Sequence, residues 1–344
     1  MHESYLTVFF EQMNIKFANK WCILHSYETL PLYSESDVDM AFSGRDVDGL
    51  ESLIVKVAKS TGWSLYQKLW YDVETCFYYV LKKNDSNVFL ALDFLMDNDG
   101  IGRYGFTTKT LTNESVLFNN LFPIPNPEVA FCYKLVKRIE KQRSLIEDKI
   151  YILEQYTNSD PHKIDDFLIE QFGKSGSKLV NEYLKGNSEL TKENIDSLKK
   201  ERKKYTSNLL SSTKYAYWET IRFCNRILYP RGLQITVPSL KEDELKLFVD
   251  LLGKRVDILF RFIKFSDNTS SKATFFAMAG STLLINKCED FKGENAIRYN
   301  WFSLFSLKTS ELNGAKEDIQ ELVDIYYKAI LQVLHLKLPK KYIV

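Results

Sequence analysis

The chain has 344 residues, of which 45% are hydrophobic and 26% charged, with a formal charge of +1. That length predicts two domains of ordinary size, and the composition excludes extended disorder. The near-zero charge removes any global attraction to nucleic acid or an anionic membrane, leaving only local patches for such contacts.

Residues 4–19 space Leu6, Phe9, Phe10, Met13 and Phe17 three and four apart, which predicts an amphipathic helix. "WCILHS" (21–26) reads as a short buried strand, and "DVDMAF" (37–42) as a second one. "VDGLESLIVKVAKSTGW" then returns to helical spacing, with Gly62 near its end. "FYYVLKK" and "VFLALDFLM" predict two strands joined by the turn Asn84–Asn87. Helix, strand, strand, helix, strand, strand makes a small α/β domain with a mixed sheet.

The three prolines of "FPIPNPEVA" mark a junction, after which residues 128–210 are helix-rich and charged. Those charges read as solvated helix faces with i,i+4 pairs. A further amphipathic helix covers 215–228. It is followed by the strand "LQITV" (233–237), the helix "KEDELKLFVDLLGK" and a strand within "VDILFRFIKF". "STLLINKCED" predicts another strand and 315–336 a last helix, so a second α/β unit closes the chain. Five widely spaced cysteines, none in C-x-x-C, fit neither a disulfide framework nor a cysteine zinc site, and suit a reducing cytoplasm. No run approaches the roughly 20 apolar residues of a membrane span, and the N-terminus lacks a signal-peptide profile, so the expected location is cytoplasmic.

The chemistry concentrates in the carboxylates. Asp37 and Asp39 flank Val38, so on a strand both side chains leave the same face. Asp93 sits in the otherwise apolar "FLALDFLM", where an ionised carboxylate is costly unless something offsets it. A hard divalent cation, Mg²⁺ or Mn²⁺, resolves the repulsion, and such ions are commonly held by carboxylates together with substrate phosphates. In that reading Asp37, Asp39 and Asp93 are metal ligands and catalytic residues, Asp93 also orienting or deprotonating a nucleophile.

"SESDVDM" followed by a distal aspartate resembles the nucleotidyltransferase superfamily related to DNA polymerase β. "LHSYETLPLYSESDVDM" is similar to a subgroup encoded in bacterial capsule and surface-polysaccharide loci, through Tyr27, Glu28, Leu30 and Pro31. "GWSLYQKLW", the "ALDF" strand and "GRYGF" stand where that subgroup has similar elements, so the resemblance spans roughly residues 1–140. It implies transfer from a nucleoside triphosphate to a small-molecule or glycan acceptor. The superfamily has a glycine-bearing turn before its aspartates, where backbone N–H groups approach the triphosphate. Here the turn is His25-Ser26-Tyr27, with Ser26 standing for the glycine or the adjoining serine, and His25 as a substitute phosphate donor or a structural histidine. Arg103, on the glycine-flanked "GIGRYGF", is a further candidate phosphate contact, and Lys134 and Lys137 lie on the following helix.

"FGKSGSK" (172–178) ends like a Walker A loop, but Leu168 stands where its first glycine belongs and a helical pattern precedes it. It reads as a helix end. "NRILYPRGLQITV" resembles the entry to a thymidylate-kinase-like P-loop domain, through Arg226, Leu228, Pro230, Gly232 and Leu233. The loop that follows, Pro238-Ser239-Leu240-Lys241-Glu242-Asp243-Glu244, has no glycine to wrap a phosphate and three acids to repel it.

The resulting expectation is an α/β (α+β) chain. It comprises a small mixed-sheet nucleotidyltransferase-like domain (1–125), a helical segment (126–214) and a P-loop-kinase-like α/β domain without a P-loop (215–344). The expected activity is metal-dependent transfer of a nucleoside monophosphate, or another phosphate-linked group, to a hydroxyl or phosphate acceptor in surface-polysaccharide or glycoconjugate assembly. The alternative is a non-catalytic nucleotide-binding or scaffold protein with two degenerate domains.

Overall fold

In helix α1 (Glu3–Lys16), Tyr5, Leu6, Phe9, Phe10 and Met13 are buried, the face that the apolar spacing marks. The structure, a computed structural model, describes residues 2–34, 36–72, 76–96, 106–141, 149–186, 190–206, 209–228, 232–237, 240–260, 262–266, 282–287, 296–298, 304–306 and 318–337. After α1 come β1 (Trp21–Ile23), β2 (Val38–Phe42), α2 (Val47–Ser60), β3 (Trp63–Asp72), β4 (Cys76–Lys83) and β5 (Phe89–Leu95). They form a five-stranded sheet in the order β1-β2-β5-β4-β3. β1 runs antiparallel to β2, and β2 parallel to β5. The expected mixed sheet is present.

One strand of this sheet, β3, is additional to the sequence reading. In β3, Trp63, Leu65, Gln67 and Leu69 are all buried, an inward alternation that a glutamine interrupts. The polar residue at an inward position hides the period-two pattern.

The stretch after β5 holds α3 (Thr108–Thr112), the hairpin β6 (Val116–Phe118) and β7 (Phe122–Ile124), and then α4 (Pro127–Glu140). The proline-rich junction is a helix start. Asn126 accepts the Val129 N–H at 2.9 Å, and Pro127 takes a first-turn position that has no N–H to satisfy. Helices α5 (Lys149–Thr157), α6 (Pro161–Leu184) and α7 (Lys192–Thr206) pack with α4 around Phe131, Leu135, Ile139, Leu168, Phe172 and Leu198. The expected helix end at 172–178 is instead an interruption inside α6. Helical geometry breaks at Gly173 (φ 67, ψ 175) and resumes to Leu184.

The remaining elements are α8 (Leu209–Leu228), β8 (Leu233–Val237), α9 (Glu242–Val256), β9 (Phe262–Ser266), β10 (Thr282–Lys287), β11 (Ala296–Arg298), β12 (Leu304–Ser306) and α10 (Ile319–Lys337). Their sheet has the order β12-β11-β8-β10-β9, with β8, β9 and β10 parallel and β11 antiparallel to both its neighbours. The strand within "VDILFRFIKF" begins at Phe262, because α9 continues to Val256.

By contacts the chain divides into two compact units: Met1–Val57, Tyr71–Phe77 and Leu92–Glu219 in one; Ala58–Trp70, Tyr78–Ala91 and Thr220–Val344 in the other. The core of the second unit joins Val80 to Leu233, Ile235, Phe248, Ile285 and Tyr326, with Tyr66, Tyr78 and Phe89 packed against them. No helix among the described residues is long and apolar enough to cross a membrane.

Candidate functional site

The site is built on the centre of the first sheet. Val38, Met40 and Phe42 bury one face of β2, so the alternate positions carry Asp39 and Ala41 to the other. The parallel register sets Asp39 directly opposite Asp93 on β5. Asp37 lies just ahead of β2, two residues before Asp39. One carboxylate oxygen from each of Asp37, Asp39 and Asp93 lies within 4.8 Å of the others. The three acids singled out in the sequence therefore meet, and Asp93 is only 8% exposed.

Strand pairing also explains why His25 reaches them. β1 pairs Ile23 with Met40, and the Leu24 N–H continues the ladder by donating to the Asp39 carbonyl at 2.9 Å. The next residue is thereby delivered beside Asp39, with His25 Nε2 2.9 Å from Asp39 Oδ2. Its Nδ1 is 3.2 Å from Ser26 Oγ. Ser26 adopts φ 55, the left-handed region that favours glycine, so the turn keeps the backbone form glycine would give while carrying a side chain. Arg103 lies outside the described residues.

Helix α4 supplies the cations. Lys137 Nζ stands 3.7 Å from Asp39 Oδ1 and 3.1 Å from His25 Nε2, and 5.6 Å over the Tyr133 ring one turn earlier. Lys134 is buried on the same helix and acts electrostatically on Asp39. The sequence carries a signal for this pair. "AFCYKLV" (130–136) is apolar except for Lys134, so these helix lysines cannot both belong to a solvated face.

The two neighbouring carboxylates are pushed in opposite directions. Burial, reinforced by the Asp39 charge, raises the Asp37 pKa, while its backbone hydrogen bond, His25 and Lys137 offset part of that. Burial would raise Asp39 as well, but His25 and Lys137, with Lys134 behind them, hold it far below the usual carboxylate range. Asp39 is thus kept ionised, and Asp37 carries the less compensated charge. The donor set is three hard oxygens, which suits Mg²⁺ or Mn²⁺.

In the second unit, α9 opens with Glu242, Asp243 and Glu244, and Glu244 Oε2 accepts the Lys241 N–H at 2.9 Å. The Glu244 carboxylate thus takes a backbone N–H at the helix start, beside two further first-turn acids that disfavour an anion there. Comparison with protein-family models, with curated proteins and with solved structures finds no match to this chain.

Proposed function

We propose that the first unit is a metal-dependent nucleotidyltransferase-like enzyme, with Asp37, Asp39 and Asp93 holding Mg²⁺ or Mn²⁺. The observation that carries this reading is the convergence of Asp37, just ahead of β2, Asp39 on β2 and Asp93 on β5 beside the half-buried Lys137 and the buried Lys134. A bound divalent ion would supply activation of the attacking hydroxyl and stabilisation of the leaving pyrophosphate oxygen. Asp39, kept ionised by His25 and Lys137, is the ready ligand. Asp93 accepts the proton of the acceptor hydroxyl as the new O–P bond forms and pyrophosphate departs. Ser26, in the turn beside Asp39, would contact a phosphate of the nucleotide. The acceptor is a hydroxyl or phosphate of a small molecule or glycan, in surface-polysaccharide or glycoconjugate assembly inside the cell. Residues 215–344 would form a kinase-like domain without ATP binding, a reading supported by the acidic first turn of α9.

The test is pyrophosphate release from each nucleoside triphosphate, with Mg²⁺ or Mn²⁺ and a panel of hydroxyl and phosphate acceptors. Asp39→Ala should lower the rate by about 10²–10⁴-fold, as for loss of a positioned catalytic group. An unchanged rate sinks the assignment. A second reading, a non-catalytic nucleotide-binding or scaffold protein, is favoured by the His25 side chain lying on Asp39 where the superfamily has a bare glycine turn. Metal-dependent nucleotide binding without turnover, or no nucleotide binding at all, would select it.

A further inference from the structure

We propose that Lys137 and His25 form a phosphate subsite, which the metal-free protein keeps closed on Asp39 and which capture of Asp39 by a divalent cation opens. This deepens the proposed function and rests on its assignment of Asp39 as a metal ligand.

The observation is a local conflict of donors. His25 Nε2 lies 2.9 Å from Asp39 Oδ2 and 3.1 Å from Lys137 Nζ. One ring nitrogen can donate to the carboxylate or accept from the ammonium, but not both in one protonation state. If it donates to Asp39, Lys137 is left facing a second donor. If it accepts from Lys137, its lone pair faces the Asp39 oxygen. In either state one of these close contacts is not a hydrogen bond.

Lys137 is the group left short. Its side chain is 15% exposed, and the Asp39 oxygen at 3.7 Å is beyond hydrogen-bond distance. Its one other described partner besides His25 is the face of the Tyr133 ring, 5.6 Å away. Among the described residues, the one acceptor within hydrogen-bond distance of this nearly buried ammonium with three donors is thus the ring nitrogen that Asp39 also contacts. Asp39 is the carboxylate that both basic groups approach within ion-pair distance. Once a cation takes that carboxylate, two basic groups 3.1 Å apart need a new anion with several acceptor oxygens. A phosphate or pyrophosphate group meets that need, since charge-assisted bonds to its oxygens satisfy both donors.

The probe is inorganic pyrophosphate, measured by calorimetry on the full chain. In EDTA the wild type should bind it weakly. Asp39→Asn, which removes the competing anion without any metal, should bind it about tenfold more tightly or better. Adding Lys137→Met to that variant should abolish the gain. A folded Asp39→Asn protein that binds no better than wild type overturns the proposal. Should Asp39→Asn fail to fold, Lys137→Met alone decides. With Mn²⁺ present it should weaken pyrophosphate binding about tenfold while leaving Mn²⁺ binding intact, and an unchanged affinity overturns the proposal. Mn²⁺ titrated alone separates the two layers. If the wild type binds none, the metal reading falls and the opening step with it. If it binds Mn²⁺ but the variants behave as wild type, only the subsite falls.

Discussion

Asp37→Asn should stabilise the metal-free protein and destroy its stabilisation by metal. The oxygens of Asp37, Asp39 and Asp93 lie within 4.8 Å of one another. Two unit charges at that separation repel by about 0.9 kcal/mol in water-like surroundings, and by about 3.5 kcal/mol at an effective dielectric near 20. The site is partly open to solvent, and neutralising Asp37 also forfeits attraction to His25 and Lys137. The lower end applies, a gain of about 1 kcal/mol, or about 2–4 °C in Tm for a unit of this size. The sign follows from the raised pKa of Asp37, caused by burial and by Asp39. Ionised Asp37 costs stability at neutral pH, and the cost disappears as pH falls through its pKa towards the ordinary 3.8. The gap between variant and wild type should therefore close on acidification. Mn²⁺ at a hundredfold excess over its Kd should stabilise the wild type by about 2.7 kcal/mol, and the variant by far less. Thermal melts in EDTA and in Mn²⁺ should thus rank the two proteins in opposite orders. A variant less stable than wild type in EDTA would refute the reasoning, because Asp37 would then be a structural acceptor rather than a strained charge.

Two further outcomes are expected. Ser26→Gly relieves a left-handed residue (φ 55) costing about 1–2 kcal/mol, against added unfolded-state freedom of about 0.4–1 kcal/mol and loss of the contact to His25. A net gain of about 0.5 kcal/mol in urea unfolding is expected, and a loss would show that the Ser26–His25 contact outweighs the strain. In the helical part, Arg202 pairs with Glu140 through side chains 5% and 9% exposed. Arg202→Met should cost about 3–5 kcal/mol by stranding that carboxylate, and Arg202→Met with Glu140→Leu should recover most of it; a single variant within about 1 kcal/mol of wild type would contradict the account.

The sequence by itself determined the acids and most of the elements around them. Two aspartates at a period-two spacing must share a face of any strand, and an aspartate inside "FLALDFLM" must meet some compensating charge. Apolar spacing likewise marked α1, α2, β8 and α9, because burial of one face dictates that spacing. What compensates the acids was decided by tertiary structure. Only the parallel register of β2 with β5 puts Asp39 opposite Asp93, and only the β1–β2 ladder delivers His25 to Asp39. Lys137 is 98 residues from Asp39 along the chain, and no local periodicity connects them. α4 brings it there by packing. The same holds for β3, whose Tyr66, with Tyr78 of β4, is packed against a core built mostly from residues beyond 230. Spacing along the chain reports which side of an element is buried. Which charge it meets there depends on partners far away in sequence, and those are chosen by packing.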